Sequence, residues 1–335
     1  YFTWSVPTLA AGGSATLQTW LDQLPEGLIT ARPALAIAQI WALVTEGLFD
    51  EAEIRLNELS LRTGLLPAQM GEIAAIQAII ATVHQDIPAI QKYSDEALRL
   101  VPAEDSQLRC GVLLSQGTAA ALSGELELSA RLLRQAIQES QHGRQPIIHL
   151  LAVSTLAQTF EALGDFDQAE HLHRQVIVLE SDPALGSLPL IGVGYVGLGG
   201  VLHERLRYDE AEIALLQGLE IGRRWGSPEI QIGALLSLAR LRFTQGKVDA
   251  GMAFLDRLES EFTAALPIHE RGHIQSIRAR FQLALGQTSA ARAWAKSFSR
   301  GKSITAAFED ESQWLVVGRV WLADGENQPA RELLS

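Results

Sequence analysis

The sequence predicts an all-α protein: a right-handed superhelical solenoid of about eight helix pairs, each about 40 residues long. Three observations predict it. A short turn pattern recurs along the chain at near-constant spacing. A small residue recurs five positions after most of these turns, and another seven positions before them. Eight such units account for almost all of the 335 residues, which displaces the two domains that length alone suggests.

In chain order the turns read Gly47-Leu-Phe-Asp-Glu-Ala52, Asp86-Ile-Pro-Ala-Ile-Gln91, Gly124-Glu-Leu-Glu-Leu-Ser129 and Gly164-Asp-Phe-Asp-Gln-Ala169. They continue as Leu206-Arg-Tyr-Asp-Glu-Ala211, Gly246-Lys-Val-Asp-Ala-Gly251, Gly286-Gln-Thr-Ser-Ala-Ala291 and Gly325-Glu-Asn-Gln-Pro-Ala330. The turn residues lie 39, 38, 40, 42, 40, 40 and 39 positions apart. Glycine suits such a turn because it enters left-handed backbone without a Cβ penalty. Each unit therefore reads as helix, tight turn, helix. The first helices are expected over 33–46, 71–84, 107–122, 146–162, 188–204, 228–244, 268–284 and 306–322, and a second helix follows each turn. The small column before the turn is Gly117, Ala157, Gly199, Ala239, Ala279 and Gly318, with Ile40 and Ile79 in the first two units. Small side chains there let paired helices approach closely. This is the tetratricopeptide arrangement with units somewhat longer than usual. No unit can bury its apolar face alone, so neighbours stack into one core. Residues 1–30 are a lead-in helix segment and 31–335 the repeat domain.

Composition narrows the function classes. A net charge of −12 makes a poor stand-alone nucleic-acid binder, since phosphate affinity comes largely from Lys and Arg. No direct nucleic-acid contact is expected. Stretches long and apolar enough to span a bilayer are missing; the nearest, Ile191 to Leu202, is interrupted by five glycines. No membrane contact is expected either. A single cysteine, Cys110, excludes a disulfide framework and fits a reducing, cytoplasmic compartment. With no histidine near it in sequence, Cys110 reads as a buried apolar residue. Tyr1-Phe-Thr-Trp carries no start methionine or targeting signal, and Ala330-Arg-Glu-Leu-Leu-Ser335 stops inside a helical pattern. Both ends read as cuts within a longer protein.

Several motifs suggest chemistry and give way to plainer readings. His269-Glu-Arg-Gly-His273 matches a zinc-hydrolase pattern, in which two imidazoles one turn apart hold the metal and Glu polarises water. It opens a repeat helix after Pro267, has Arg271 beside it and lacks a carboxylate ligand before Glu309, so it reads as a solvated helix start. Gly192-Val-Gly-Tyr-Val-Gly197 matches a dinucleotide fingerprint but falls inside a first helix, where no strand precedes it. Its glycines, with Gly199 and Gly200, suit either tight packing or a flexible, ligand-facing segment. Arg300-Gly-Lys-Ser303 lacks the first glycine of a phosphate loop. His171 and His173, two apart on a helix, read as a surface pair. No catalytic or metal-binding residue is assigned, and no enzyme activity is expected.

A third column, six residues before the turn, runs Trp41, Ile80, Thr118, Gln158, Gly200, Arg240, Arg280 and Arg319. It is expected to face the concave groove, which would change from apolar to basic along the chain. Arginine forks recognise carboxylates and phosphates; pairing with Glu or Asp of neighbouring repeats is the alternative. The candidate ligand-binding residues are Gln158, Tyr195, His203, Arg240, Arg280 and Arg319, with Ser154 and Ser276 nearby.

The stretch from Leu17 to Leu56 carries Trp20, Leu21, Leu24, Pro25, Ala31, Arg32, Pro33, Trp41, Ala42, Gly47 and Ala52. It resembles the start of the sensor domain in MalT-like regulators, the large ATP-dependent members of the LuxR-type activators. Ala290-Ala-Arg-Ala-Trp-Ala295 and Phe308 through Gly325 resemble that domain's last repeats. The resemblance implies a nucleotide-binding module upstream and a helix-turn-helix downstream. The domain between them would receive a small-molecule or protein effector, relieve autoinhibition and allow self-association on DNA. ATP would belong to the upstream module, and this stretch would hold no cofactor of its own. A stand-alone scaffold that binds an acidic peptide or protein partner is the alternative.

Overall fold

A computed structural model describes residues 19–20, 23–24, 26–181, 188–262, 268–300, 311–326, 330, 331 and 333. All regular structure among the described residues is helical. The chain falls into two compact units, 1–165 and 166–335.

The first unit holds α1 (Glu26–Ala31), α2 (Pro33–Thr45), α3 (Phe49–Ser60), α4 (Pro67–Val83), α5 (Ile87–Leu100), α6 (Ser106–Leu122), α7 (Leu126–His142) and α8 (Pro146–Ala162). The second holds α9 (Phe166–Val178), a 3₁₀ turn at Leu179–Ser181, α10 (Leu190–Glu204), α11 (Tyr208–Trp225), α12 (Pro228–Thr244), α13 (Val248–Phe262), α14 (Ile268–Ala284), α15 (Thr288–Ser299) and α16 (Glu311–Ala323). Even-numbered helices from α2 onward are the first helices of the repeats. Pro33, Pro67, Pro146 and Pro228 open four of them, where the missing N–H costs nothing and φ is already helical.

The turns share one geometry. The turn residue is left-handed at Gly47, Gly124, Gly164, Gly246, Gly286 and Gly325, with φ between 75° and 80°. The N–H of the next residue reaches back to the sixth carbonyl, as from Leu48 to Leu43 and from Lys247 to Arg242. This is the paired bond of a Schellman stop. Two turns do it without glycine: Leu206 at φ 61° and Gln85 at φ 55°. The second corrects the sequence register, which put the turn on Asp86. Asp86 instead caps α5, its carboxylate accepting from the Ala89 N–H at 3.1 Å. The small column then passes through Ala78 rather than Ile79, and the groove column through Ile79 rather than Ile80. Ala78 and Ile80 are buried while Ile79 is partly open, as the corrected register requires.

Close approach explains the small columns. A Cβ on Gly117 would meet Leu133 at 2.7 Å, and one on Gly199 would meet Leu215 at 2.5 Å. Five residues after the turns, Ala52, Ile90, Ser129, Ala169, Ala211, Ala291 and Ala330 are all fully buried. In the first unit Ile37, Ile40, Leu43, Leu56, Leu59, Ile73 and Ile76 pack between α2, α3 and α4. In the second, Leu215, Leu235, Leu238, Leu241, Leu255, Leu258 and Phe281 form the main core. Each such side chain contributes about 1.5–3 kcal/mol by leaving water.

Candidate functional site

Three consecutive first helices of the second unit present one side to a shared hollow of about 280 Å³. α10 supplies His203 and Glu204, α12 supplies Arg240, Phe243 and Thr244, and α14 supplies Ile277, Arg280 and Phe281. Residues three and four apart share a helix face, so Phe243 and Thr244 come with Arg240, and Ile277 with Arg280 and Phe281.

Its floor is aromatic. Phe243 stacks on Phe281 with ring centres 4.5 Å apart, and the Arg280 guanidinium lies 4.9 Å above the Phe243 ring. The rim is polar. Thr244 donates to the Arg240 carbonyl at 3.1 Å. His203 Nε2 lies 2.9 Å from the same hydroxyl oxygen, which accepts from the imidazole in the tautomer protonated at Nε2. Arg240 reaches Glu204 Oε1 at 3.1 Å. Both partners are nearly half exposed, at 48% and 45%, so the pair contributes roughly 0.2–1 kcal/mol. Arg280 is perturbed downward by burial, then by the charges of Arg319 and Arg240, with Glu204 opposing. Burial and Arg240 also depress His203 and His273, so both imidazoles are neutral near pH 7.

The arginines divide between the two sides of the helix layer. Toward the second helices, Arg242 pairs with Glu212, and Arg278 with Asp256 and Glu259. Arg207 pairs there with Glu170 and Glu210. In the hollow Arg240 has one exposed partner. Among the described residues, no carboxylate lies within ion-pair distance of Arg280 or Arg319.

The structure thus gathers His203, Arg240 and Arg280, with Arg319 close enough to act on Arg280. Gln158 is exposed on α8 of the first unit. In that unit's column Trp41 donates to Glu72 Oε1 at 2.9 Å, and burial pushes the Glu72 carboxyl upward. Tyr195 departs from the groove expectation. It lines a different hollow of about 470 Å³ with residues of α9 and α11, and donates to Glu180 at 2.7 Å. It sits eleven positions before its turn, five before the groove column, and five residues carry a side chain well round the helix. Ser154 and Ser276 are buried, Ser276 donating to the His273 carbonyl at 2.7 Å. The sequence reading misses Glu204, Phe243 and Thr244, and reads His273 as part of a solvated helix start. Spacing of one, three and four residues from the groove positions was the available signal.

The other motifs resolve simply. Gly192 to Gly197 lie inside α10, not at a strand end. His173 is fully buried, not half of a surface pair: it fills the space beside Gly197, while His171 is exposed next to Gln175. Cys110 is buried and its thiol is pushed up to about 12, chiefly by burial. His273 lies on α14, but the His269 side chain and residues 301–310 lie outside the described residues. Among the described residues no group of three His, Cys, Asp or Glu could hold a metal ion, and no helix is long and apolar enough to cross a membrane.

Known proteins show the same repeat type. A model of the MalT-like TPR region matches residues 71–335. The HTH-type transcriptional regulator MalT of Yersinia pestis (strain Pestoides F) is 26% identical over 254 residues, which cover 73% of this chain and 28% of the relative. That of Yersinia enterocolitica is 24% identical over 251 residues with the same coverage. The chain therefore spans 28% of the length of these curated relatives. Among solved structures, a Rap protein complexed with competence and sporulation factor superposes with TM-score 0.74 at 13% identity, covering 98% of this chain and 92% of that one. The apo quorum sensor NprR from B. thuringiensis gives 0.73 at 9% identity, covering 98% and 94%. These likenesses are of fold.

Proposed function

The chain belongs to the MalT-like TPR family, and from that premise we propose that it is the effector-sensing, protein-interaction domain of a MalT-like transcriptional regulator. The match of the family over residues 71–335 carries this reading. Effector binding would bias an equilibrium between an autoinhibited and an open multidomain state by its difference in affinity for the two. The partners are other domains of the same regulator, further copies of it, and a small-molecule or protein effector. An ATP-binding module would lie upstream and a helix-turn-helix downstream, in the cytoplasm. The basic hollow on α10, α12 and α14 supports an effector seat there. The same unneutralised arginines favour a second reading, a scaffold for an acidic peptide with no regulator attached.

A reporter assay on the full-length protein tests the first reading. Deleting residues 31–335 is expected to uncouple transcription from the inducer, leaving it constitutively high or absent. An inducer response that survives the deletion overturns the sensing role. A reading frame that encodes neither flanking module leaves only the scaffold.

A further inference from the structure

Among the described residues, the charged groups that act on Arg280 are Arg319, Arg240 and Glu204. With Arg280 itself that is three guanidiniums against one carboxylate, in a molecule whose net charge is −12. Nearby arginines on the opposite side of the same helices are matched by carboxylates, so scarcity of acid does not explain the imbalance. The positive excess is local, built on a floor of stacked aromatic rings, and beside it stand neutral hydrogen-bonding groups.

We propose that this hollow binds a small phosphate monoester, with the dianion held by Arg240, Arg280 and Arg319 and the hydroxyl-bearing remainder by His203, Thr244 and Glu204. A dianion matches the excess of two positive charges. The guanidiniums come from three different helices: Arg240 of α12 and Arg280 of α14 line the hollow, and Arg319 of α16 lies near enough to act on Arg280. A tetrahedral phosphate with three free oxygens accepts from three directions, whereas a carboxylate offers two oxygens in one plane. Arg240 becomes available cheaply, because its exposed pair with Glu204 is weak. Glu204 is then released to accept from a ligand hydroxyl, beside His203 and Thr244. A hollow of about 280 Å³ suits a small metabolite rather than a drug-sized or polymeric ligand. The site rests on the sensing reading only for what binding does, not for whether binding occurs.

Calorimetric titration of the chain with glycerol 3-phosphate and with glycerol, at low ionic strength, tests it. Saturable one-to-one binding of the phosphate and none of glycerol is expected. Losing a charged hydrogen bond weakens binding by roughly tenfold to a hundredfold, so Arg280→Gln and Arg319→Gln should each do so. Arg224→Gln, the same charge change at an exposed position of α11, should not. Arg280 has no ion-pair partner among the described residues but lies over the Phe243 ring, so Arg280→Gln should stay folded with at most a small drop in melting temperature, which is measured alongside. Absence of saturation overturns the site. So does equal weakening by all three variants, which would mark diffuse attraction, or unchanged binding in Arg280→Gln. If the full-length regulator responds to an effector without phosphate through residues 31–335, and the chain ignores glycerol 3-phosphate, sensing stands and the phosphate site falls.

Discussion

Replacing Gly197 by alanine decides between the two meanings of the glycine-rich stretch in α10. If those glycines give flexibility, alanine should stabilise the helix by about 1 kcal/mol, its propensity advantage in a helix interior. The structure argues the reverse. A Cβ at 197 would stand 2.1 Å from His173 Cε1, 2.4 Å from Nε2 and 2.6 Å from Nδ1. Ordinary contact is near 3.5 Å, so the ring would have to retreat by more than an ångström. His173 is fully buried, and the neighbouring glycines are tight as well: a Cβ on Gly194 would meet Val176 at 2.7 Å. Overpacking costs about 1–3 kcal/mol; a 2.1 Å approach to a fully buried ring belongs in the upper part of that range, about 2–3, and subtracting the propensity gain of about 1 leaves a net loss of about 1–2 kcal/mol. Urea unfolding of the chain measures this through its midpoint at constant slope. The double variant Gly197→Ala/His173→Ala makes room for the new methyl, so it should be more stable than the sum of the single effects by about 1 kcal/mol or more. A neutral or stabilised Gly197→Ala would refute the packing argument, and additive single effects would refute the His173 contact.

Other outcomes follow from the same structure. Leu206 holds a left-handed turn while 70% exposed; Leu206→Gly relieves about 1–2 kcal/mol of strain, less about 0.4–1 for the looser unfolded chain, and a midpoint that does not rise counts against it. His203 and His273 are depressed below the ordinary 6.5 in the folded chain, so the unfolded state binds more protons as pH falls through that value. Stability should fall on acidification from pH 7 to 5, and a His203→Gln/His273→Gln variant with an unchanged slope would exclude these groups as the cause. Cys110, buried and pushed up to about 12, should resist thiol reagents until the chain unfolds; rapid modification of the native chain would contradict its burial.

The repeat was legible because its turns are set by backbone geometry. Six of the eight repeat turns carry glycine at the left-handed position, and glycine is the residue that geometry selects. The second turn was read one residue late because Gln85 occupies the left-handed slot and Asp86, a cap, looks more like a turn residue. The burial of His173 was not legible, since spacing on α9 says which residues share a face but not that Gly197 of α10 leaves room for a ring. Tyr195 lies outside the groove because a five-residue offset from the groove column turns it toward α9 and α11; nearness in sequence alone does not show this.

The arginines show how far the pattern can be pushed. α12 carries Arg240 and Arg242, and α14 carries Arg278 and Arg280. Two residues of helix turn through about 200°, so each pair must send one guanidinium to each side. The second helices are acidic: α11 offers Glu212, and α13 offers Asp256 and Glu259, and these are the residues that Arg242 and Arg278 find. The first helices offer Glu204 alone to the described hollow, and it reaches Arg240. Turn register therefore fixes which arginine of each pair is neutralised. A two-residue shift of register in α12 and α14 would exchange their roles, putting Arg242 and Arg278 in the hollow and Arg240 and Arg280 beside the acids. The charge of the hollow is thus a property of phase along the repeat, which residue counts alone do not carry.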